Sequence, residues 1–187
     1  VMELLNVDTI EIEVGYRLVQ LLNVEMGGDL LERIAQIRRQ TALDLGIVLP
    51  SIRVRDNLQL SPNSYQIKLK GVALESGEVY PERYLAMCAG DPVGNLAING
   101  IHAIEPAFGL PALWIEPKDK DMAEMSGYTV VSASAVISTH ITEVIKKCAS
   151  EIISRFDVQQ LIDNLKKEVS EDYVNDIMKD ITVGDVQ

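Results

Sequence analysis

The chain has 187 residues, enough to bury a hydrophobic core without disulfide or metal cross-links. Its 17 basic and 28 acidic residues give a formal net charge of −11, so the surface repels phosphate backbones and anionic head groups and no nucleic-acid partner is expected. With 47% hydrophobic and 24% charged residues, the composition excludes disordered, collagen-like and low-complexity classes.

The sequence contains no segment typical of membrane insertion or secretion. The longest apolar run, residues 107–115, is about half the length of a membrane helix and is interrupted by Gly109 and Pro111. Cys88 and Cys148 belong to no C-x-x-C motif, so neither a disulfide framework nor a cysteine-rich zinc site is expected. These features predict a soluble chain in a reducing, cytosolic environment.

The first predicted elements are a strand and an amphipathic helix. Apolar and charged residues alternate over residues 10–16, which indicates a strand with one buried face. Gly27 and Gly28 then interrupt the chain, and Asp29 is predicted to cap a helix that ends at Gly46. The predicted buried stripe of this helix consists of Leu30, Leu31, Ile34, Ile37, Ala42 and Leu45.

Two more strands are predicted, at residues 52–54 and 65–74. In the second, Tyr65, Ile67 and Leu69 are expected to face the opposite side from the polar residues between them. Residues 75–78 are predicted to form a turn after this strand.

Glycine and proline become frequent between residues 84 and 131, and the short apolar runs between them indicate small strands. This segment, with a short helix near residues 121–125 and a strand at 128–131, is interpreted as an inserted subdomain. A long helix is predicted to run from a Ser132 cap to about Arg155, with Thr139 on the face opposite its core stripe. The stripe consists of Ala133, Ile137, Ile141, Val144, Cys148 and Ile152.

The C-terminal residues are predicted to form a further helix capped by Asp157, with an apolar stripe that needs a partner surface. The fold class is therefore α/β (α+β), with a mixed-sheet first domain at residues 1–83 and 132–152. A small α/β subdomain at residues 84–131 interrupts that domain. Residues 153–187 are predicted to begin a truncated helical third domain, with a stripe that includes Val158, Leu161, Ile162, Leu165 and Val169.

Motifs for chemistry are few. The glycine-rich phosphate-binding motifs and the G-x-S-x-G hydrolase motif are absent, so no cofactor is predicted. Each histidine heads an H-x-x-E motif, His102 with Glu105 and His140 with Glu143. The di-metal signature instead runs E-x-x-H with further carboxylates, and the first copy runs into Pro106, so no metal site is predicted.

Several conspicuous residues have a simpler explanation. His140 lies near the edge of the predicted core stripe, where a histidine with a hydrogen-bond partner is more common than a catalytic one. Cys88 and Cys148 are interpreted as packing residues. Arg38 and Arg39 form a basic cluster on an acidic chain, which indicates either a solvated helix face or an interface.

Phe108 is the most informative aromatic residue. Phenylalanine occurs only twice in the chain, and this one lies between Pro106 and Gly109 in a predicted turn, where it has little local core to enter. Two alternatives remain open: an exposed anchor for a partner, or a loop aromatic that plugs the junction of two subdomains.

A family resemblance runs along nearly the whole chain. The chain resembles the cytoplasmic portion of flagellar export-gate proteins of the FlhA family, and its Phe-Gly-Leu-Pro-Ala-x-Trp-Ile run favours the flagellar branch over virulence injectisome relatives. Matching runs include Glu13-Val14-Gly15-Tyr16-Arg17-Leu18, Ile37-Arg38-Arg39, Ile52-Arg53-Val54-Arg55-Asp56-Asn57, Pro106-Ala107-Phe108-Gly109-Leu110, Gly127-Tyr128-Thr129-Val130-Val131 and Ser138-Thr139-His140-Ile141.

The resemblance implies a non-enzymatic docking platform of the type III protein export gate. Its partners would be flagellar export chaperones with bound substrates and other export-apparatus proteins, with cargo handed on to the membrane channel. The family's full protein forms a nonameric ring at the cytoplasmic face of the bacterial inner membrane, through an N-terminal transmembrane region that this chain lacks. An alternative is a ring-forming scaffold whose cargo-binding site lies outside this fragment.

The resemblance also implies a binding site, an apolar depression where the first two domains meet. By family position its residues are Glu105, Pro106, Phe108 and Thr139. Glutamate replaces the family's usual aspartate at the first position, which keeps the charge and lengthens the side chain by one methylene. Arg38 and Arg39 are a possible second interface. No residue is expected to be catalytic, and no cofactor or metal is expected.

Overall fold

The computed structural model describes residues 10–46, 49, 51–88 and 97–168. The chain divides into two compact units, Val1–Lys147 and Cys148–Gln187, and each is described by itself. The part of the predicted third domain beyond residue 168 lies outside the described residues, as do the side chains of Ile152 and Val158.

The described elements are eight strands, three α-helices and short 3-10 helices, with the latter at Tyr16–Leu21, Val24–Met26 and Pro117–Asp119. The strands and α-helices, in chain order, are β1 Ile10–Val14, α1 Leu30–Leu45, β2 Ile52–Asp56, β3 Ser64–Leu69, β4 Val72–Glu78, β5 Tyr84–Met87, β6 Gly100–Ile104, β7 Pro111–Ile115, α2 Lys120–Met125, β8 Thr129–Ser132 and α3 Ala133–Glu168.

The first sheet is mixed, in the order β2-β1-β3-β4. Strand β1 pairs in parallel with β2 and antiparallel with β3, so the predicted mixed α/β class is confirmed. Ile10, Ile12 and Val14 are buried, as the period-two pattern predicts. Helix α3 lies against this sheet, since the Tyr65 hydroxyl on β3 and His140 Nδ1 are 2.6 Å apart.

The second sheet is antiparallel, in the order β6-β7-β5-β8, and its strands lie between residues 84 and 132. One face packs against α2 through a core cluster of Ala86, Leu113, Ile115 and Ala123. Strand β8 leads directly into α3, whose first turn is capped by the Ser132 side chain: the Ala135 N–H donates to Ser132 Oγ at 3.3 Å. The predicted Ser132 cap is therefore confirmed.

The predicted strand at residues 65–74 is confirmed only as far as Leu69, with Tyr65 and Ile67 buried, and the predicted turn at residues 75–78 is wrong. The chain reverses earlier, at Lys70 and Gly71, and residues 75–78 belong to β4. Both reversal residues have positive φ, 55° and 77°, the geometry of a two-residue hairpin turn. Lysine is not a typical residue at such a position, so residue type did not indicate the turn.

Helix ends and stripes also differ in detail. The Asp29 side chain does not cap α1; it accepts hydrogen bonds from Arg33 and Ser134 instead. Leu31 is exposed on α1, whereas Thr41 is buried in its stripe. The predicted helix start at Asp157 is wrong, because α3 continues through it to Glu168 without interruption. Within the described ranges, no helix combines the length and apolar character that crossing a membrane requires.

Candidate functional site

The loop between β6 and β7 forms a tight turn that presents Phe108. The Glu105 N–H donates to the Leu110 carbonyl at 2.8 Å, and the Gly109 N–H donates to the Glu105 carbonyl at 2.9 Å. Gly109 has a φ of 71°, a left-handed conformation that glycine adopts without steric cost. These bonds extend the β6–β7 ladder by one pair and force the four residues between to reverse direction.

The Glu105 carboxylate holds this turn from inside. Only 2% of the residue is exposed, and its two oxygens accept the N–H groups of Ala107 at 2.9 Å and Phe108 at 2.7 Å. Bonds from backbone N–H groups to a buried carboxylate are stronger than neutral ones. Glu105 therefore fixes the backbone that carries Phe108, and its carboxylate faces the loop.

Phe108 is 60% exposed and borders a cavity of about 240 Å³. An aromatic side chain this exposed does not act as a buried plug, the second alternative considered for it. The other residues that line the cavity come from strands β5 and β8, from the β6–β7 loop and from α3, and most are apolar: Met87, Glu105, Leu110, Thr129, Val131, Val136 and Thr139.

Thr139 reaches this cavity from α3, where its neighbour His140 anchors the helix. His140 is buried, its Nδ1 lies 2.6 Å from the Tyr65 hydroxyl, and its Nε2 lies 3.4 Å from a Glu75 carboxylate oxygen. Burial lowers the pKa of His140 against the opposing effect of Glu75, and burial raises the pKa of Tyr65. The expectation of a core histidine with a hydrogen-bond partner is confirmed.

Of the residues in the predicted depression, Glu105, Phe108 and Thr139 line one cavity. Pro106 instead lines a separate groove between β4 and β6. Sequence reasoning missed the lining residues from β5, β8 and the start of α3, namely Met87, Thr129, Val131 and Val136. In the local sequence each of these residues resembles an ordinary strand or helix residue. Only the strand order β7-β5-β8 brings them beside the β6–β7 loop.

Arg38 and Arg39 are exposed on α1, in an element that contributes nothing to the Phe108 cavity. Arg39 lines a different groove, between α1 and α3, together with Arg33 and Lys146. Arg33 is held by Asp29 at 2.8 Å, which leaves Arg38 and Arg39 as the outward-facing part of the cluster.

The H-x-x-E pairs do not converge on a metal site. His102 lies on strand β6, and the Glu105 carboxylate is bonded to backbone N–H groups. His140 faces Glu75, whereas Glu143 contacts Lys146. Among the described residues, no group of three or more His, Cys, Asp or Glu side chains is placed to hold a metal ion.

Comparison with known proteins gives consistent matches. The model of the FHIPEP family matches residues 1–187. The chain is 49% identical over 187 residues to the flagellar biosynthesis protein FlhA of Bacillus subtilis, covering all of this chain and 27% of that protein. It therefore spans about a quarter of the length of this curated relative.

Solved structures share the fold at low identity. A chain from the complex of the Chlamydia pneumoniae proteins CdsV and CdsO matches with a TM-score of 0.65 and 23% identity, over 84% of this chain and 49% of that one. The nonameric SctV-C from EPEC matches with a TM-score of 0.53 and 13% identity, over 94% of this chain and 49% of that one.

Proposed function

The chain belongs to the FHIPEP family, and from this membership we propose that it is a docking platform of the flagellar type III protein export gate. It binds export chaperones that carry their substrates and passes the cargo toward the membrane channel. In the complete protein this segment lies at the cytoplasmic face of the bacterial inner membrane. The role requires no catalytic step, cofactor or metal.

The observation that carries the proposal is the presentation of Phe108. A large aromatic side chain stands mostly in solvent, on a turn whose backbone is fixed by a buried carboxylate, beside an apolar cavity. Burial does not account for the position of this side chain, whereas a fixed backbone reduces the entropy lost when a partner binds. Fixed aromatic anchors beside small pockets are typical of binding hot spots.

The size of the cavity suits reversible docking. At about 240 Å³ it accepts one or two apolar side chains of a partner and not a large ligand. One such anchor contributes a few kcal/mol, and variation in affinity acts mostly through the dissociation rate. A chaperone held in this way can release its cargo on the timescale of transport.

We expect Phe108→Ala to weaken binding of a flagellar chaperone–cargo complex by about 1 to 3 kcal/mol, because it removes the anchor without opening a core cavity. The measurement is calorimetric titration of the chain with a purified flagellar chaperone bound to its cargo. Circular dichroism first establishes that both forms are folded.

Tyr16→Ala is the matched control for Phe108→Ala, since Tyr16 is a similarly exposed aromatic on a 3-10 helix outside the cavity lining. It should leave the affinity unchanged. If folded Phe108→Ala binds as tightly as the unmodified chain, Phe108 is not part of the docking site.

A second candidate function is assembly of the export-gate ring. A structural neighbour of this chain is a nonamer, and another was solved in complex with a second protein, CdsO. Arg38 and Arg39 are the exposed charged pair on α1 that a neighbouring subunit or another export component could contact. In this alternative the chain serves as scaffold and has no affinity for chaperones.

Reversing both charges, Arg38→Glu with Arg39→Glu, is expected to impair ring assembly or secretion when introduced into the full-length protein in cells. The same change in this chain should leave chaperone affinity intact, because neither arginine lines the Phe108 cavity. Arg53→Glu, at an exposed position on β2, is the matched charge control. Loss of chaperone affinity with normal assembly would contradict this assignment.

A further inference from the structure

A second groove lies between the edge strands β4 and β6 of the two sheets, and Pro106 of the β6–β7 loop is among its lining residues. It has a volume of about 480 Å³ and runs between β4 and β6, with Tyr80, Trp114 and His140 among its lining residues. Within the described ranges, β4 pairs only with β3, and β6 pairs only with β7. Two open strand edges therefore border one groove.

The hydrogen-bond register determines which groups of β6 point outward. The Glu105 N–H donates to the Leu110 carbonyl, so Glu105 and Leu110 form a hydrogen-bonded pair of the antiparallel β6–β7 ladder. Such pairs alternate along a strand, so Ala103 and Ile101 also bond to β7. His102 and Ile104, between them, turn their N–H and C=O groups to the open edge.

Among the residues that the structure describes, nothing protects the edge of strand β6. The β2 and β4 edges carry charged side chains, and β8 is four residues long and leads into α3. Residues 100–104 of β6 contain no lysine, acid or proline, and Ile104 is 71% exposed. Unblocked, exposed edges of this kind pair with extended segments of other chains.

The charge of the groove indicates what such a segment carries. The acids among its lining residues are Glu75 and Glu78, both on β4, and no lysine or arginine lines it. Glu75 already contacts His140 and Lys147, whereas Glu78 accepts a bond from the Tyr80 hydroxyl and is exposed. Glu78 is therefore the carboxylate most available to a cationic side chain.

We propose that the β6 edge binds an extended, basic polypeptide segment by strand addition. The segment's backbone pairs with His102 and Ile104, and its lysine or arginine side chains reach Glu78 across the groove. A second copy of this chain is a poorer occupant, because its own β6 has no lysine or arginine and its net charge is −11. The inference does not depend on docking at Phe108.

The probe is a blocked seven-residue peptide in which lysine and valine alternate, titrated into the isotope-labelled chain and followed by NMR. We expect saturable binding, with slowed hydrogen exchange at the N–H groups of His102 and Ile104. A peptide in which glutamate replaces lysine should bind at least about fivefold more weakly, because it meets the groove carboxylates. Equal binding of both peptides would overturn the proposal, as would unchanged exchange at these two N–H groups.

Two variants test the contacts themselves. Ile104→Pro removes an outward N–H group that does not bond to β7, and it should lower the affinity for the lysine peptide about tenfold. Ile104→Val keeps that N–H group and should leave the affinity nearly unchanged. Glu78→Gln should lower the affinity for the lysine peptide about two- to fivefold. Glu82→Gln is the control, because Glu82 does not line the groove. Phe108→Ala should leave this peptide's affinity unchanged, which separates failure here from failure of the docking proposal.

Tight binding of the lysine peptide by folded Ile104→Pro would exclude strand addition at this edge. If the chain instead self-associates through β6, analytical ultracentrifugation would show a dimer, and the Ile104→Pro variant would be a monomer. A second copy would then be the occupant, and the proposal of a basic partner would be wrong.

Discussion

Glu105→Ala is expected to lower the free energy of unfolding by about 2 to 3 kcal/mol and to weaken docking of a chaperone–cargo complex more than tenfold. The substitution leaves the N–H groups of Ala107 and Phe108 without their buried acceptor. Phe108 then loses its fixed position, and the partner must pay the entropy of ordering the loop. Urea denaturation and calorimetric titration measure the two effects separately.

Two milder substitutions distinguish positioning from direct contact. Glu105→Asp retains both acceptor oxygens and should keep most of the affinity for the chaperone–cargo complex. Glu105→Gln provides one good acceptor, so its affinity should lie between those of Glu105→Asp and Glu105→Ala. If Glu105 acts through the loop, raising the salt concentration should weaken docking equally in the unmodified chain and in Glu105→Gln. A salt dependence that disappears only in Glu105→Gln would indicate a direct ion pair with the partner.

Glu13→Ala is expected to destabilise the first domain by about 3 kcal/mol, because Glu13 is a buried charge bonded to several elements. Only 1% of it is exposed, although it lies on the face of β1 opposite the apolar residues. Its carboxylate accepts bonds from Asn57 at 2.8 Å and from Arg55 and Lys68 at 3.0 Å, and from Gln66. The substitution leaves these donors on β2, β3 and the β2–β3 connection without their acceptor.

Glu11→Ala is the matched control for Glu13→Ala. Glu11 lies two residues away on the same strand face, is half-buried, and approaches Arg55 at 3.8 Å. Its loss should cost less than about 1 kcal/mol. Similar denaturation midpoints for the two variants would show that the Glu13 network adds no stability.

Glu13 also predicts acid sensitivity. The bond from Asn57, supported by Lys68, Gln66 and Arg55, lowers the pKa of Glu13 to about 2, against 4.5 for an unperturbed glutamate. Because the folded-state pKa is depressed, this stabilisation is fully present above about pH 4.5 and is lost as the pH falls toward 2. Allowing for solvent screening at the exposed Arg55, we expect about 1 to 2 kcal/mol between these pH values.

The acid test compares chemical denaturation of the unmodified chain and Glu13→Gln at pH 6, pH 4 and pH 2.5. The gap between the two should narrow as the pH falls, since the glutamine side chain does not titrate. A gap that stays constant with pH would show that the charge of Glu13 is not what stabilises the sheet.

Local patterns were sufficient for most of the elements. The alternation at residues 10–16 predicted β1, and glycine at position 46 marked the end of α1, because strand and helix periods are properties of neighbouring residues. The pattern failed at the β3–β4 hairpin. There the turn depends on two positive φ angles, one of them at Lys70. The polar residues 75–78 have the composition of a turn, although they pair with β3.

The candidate site was only partly predictable. The position of Phe108 between proline and glycine left two alternatives, an exposed anchor and a loop plug, and the family resemblance placed Phe108, Glu105 and Thr139 in one depression. The local sequence gave no sign that the Glu105 carboxylate would turn inward to bond the loop backbone. That arrangement depends on burial, and burial depends on which strands become neighbours.

By itself, then, the sequence determined the class of the fold, most of its strands and helices, the family, and the place of Phe108 in a turn between proline and glycine. Only the tertiary structure decided that Phe108 is exposed to solvent, that Glu13 is a buried charge, and that β6 pairs on one side only within the described residues. The physical reason is range. Periodicity and turn chemistry act over a few residues, whereas strand order and register depend on pairing between segments far apart in the chain, which local preferences do not specify.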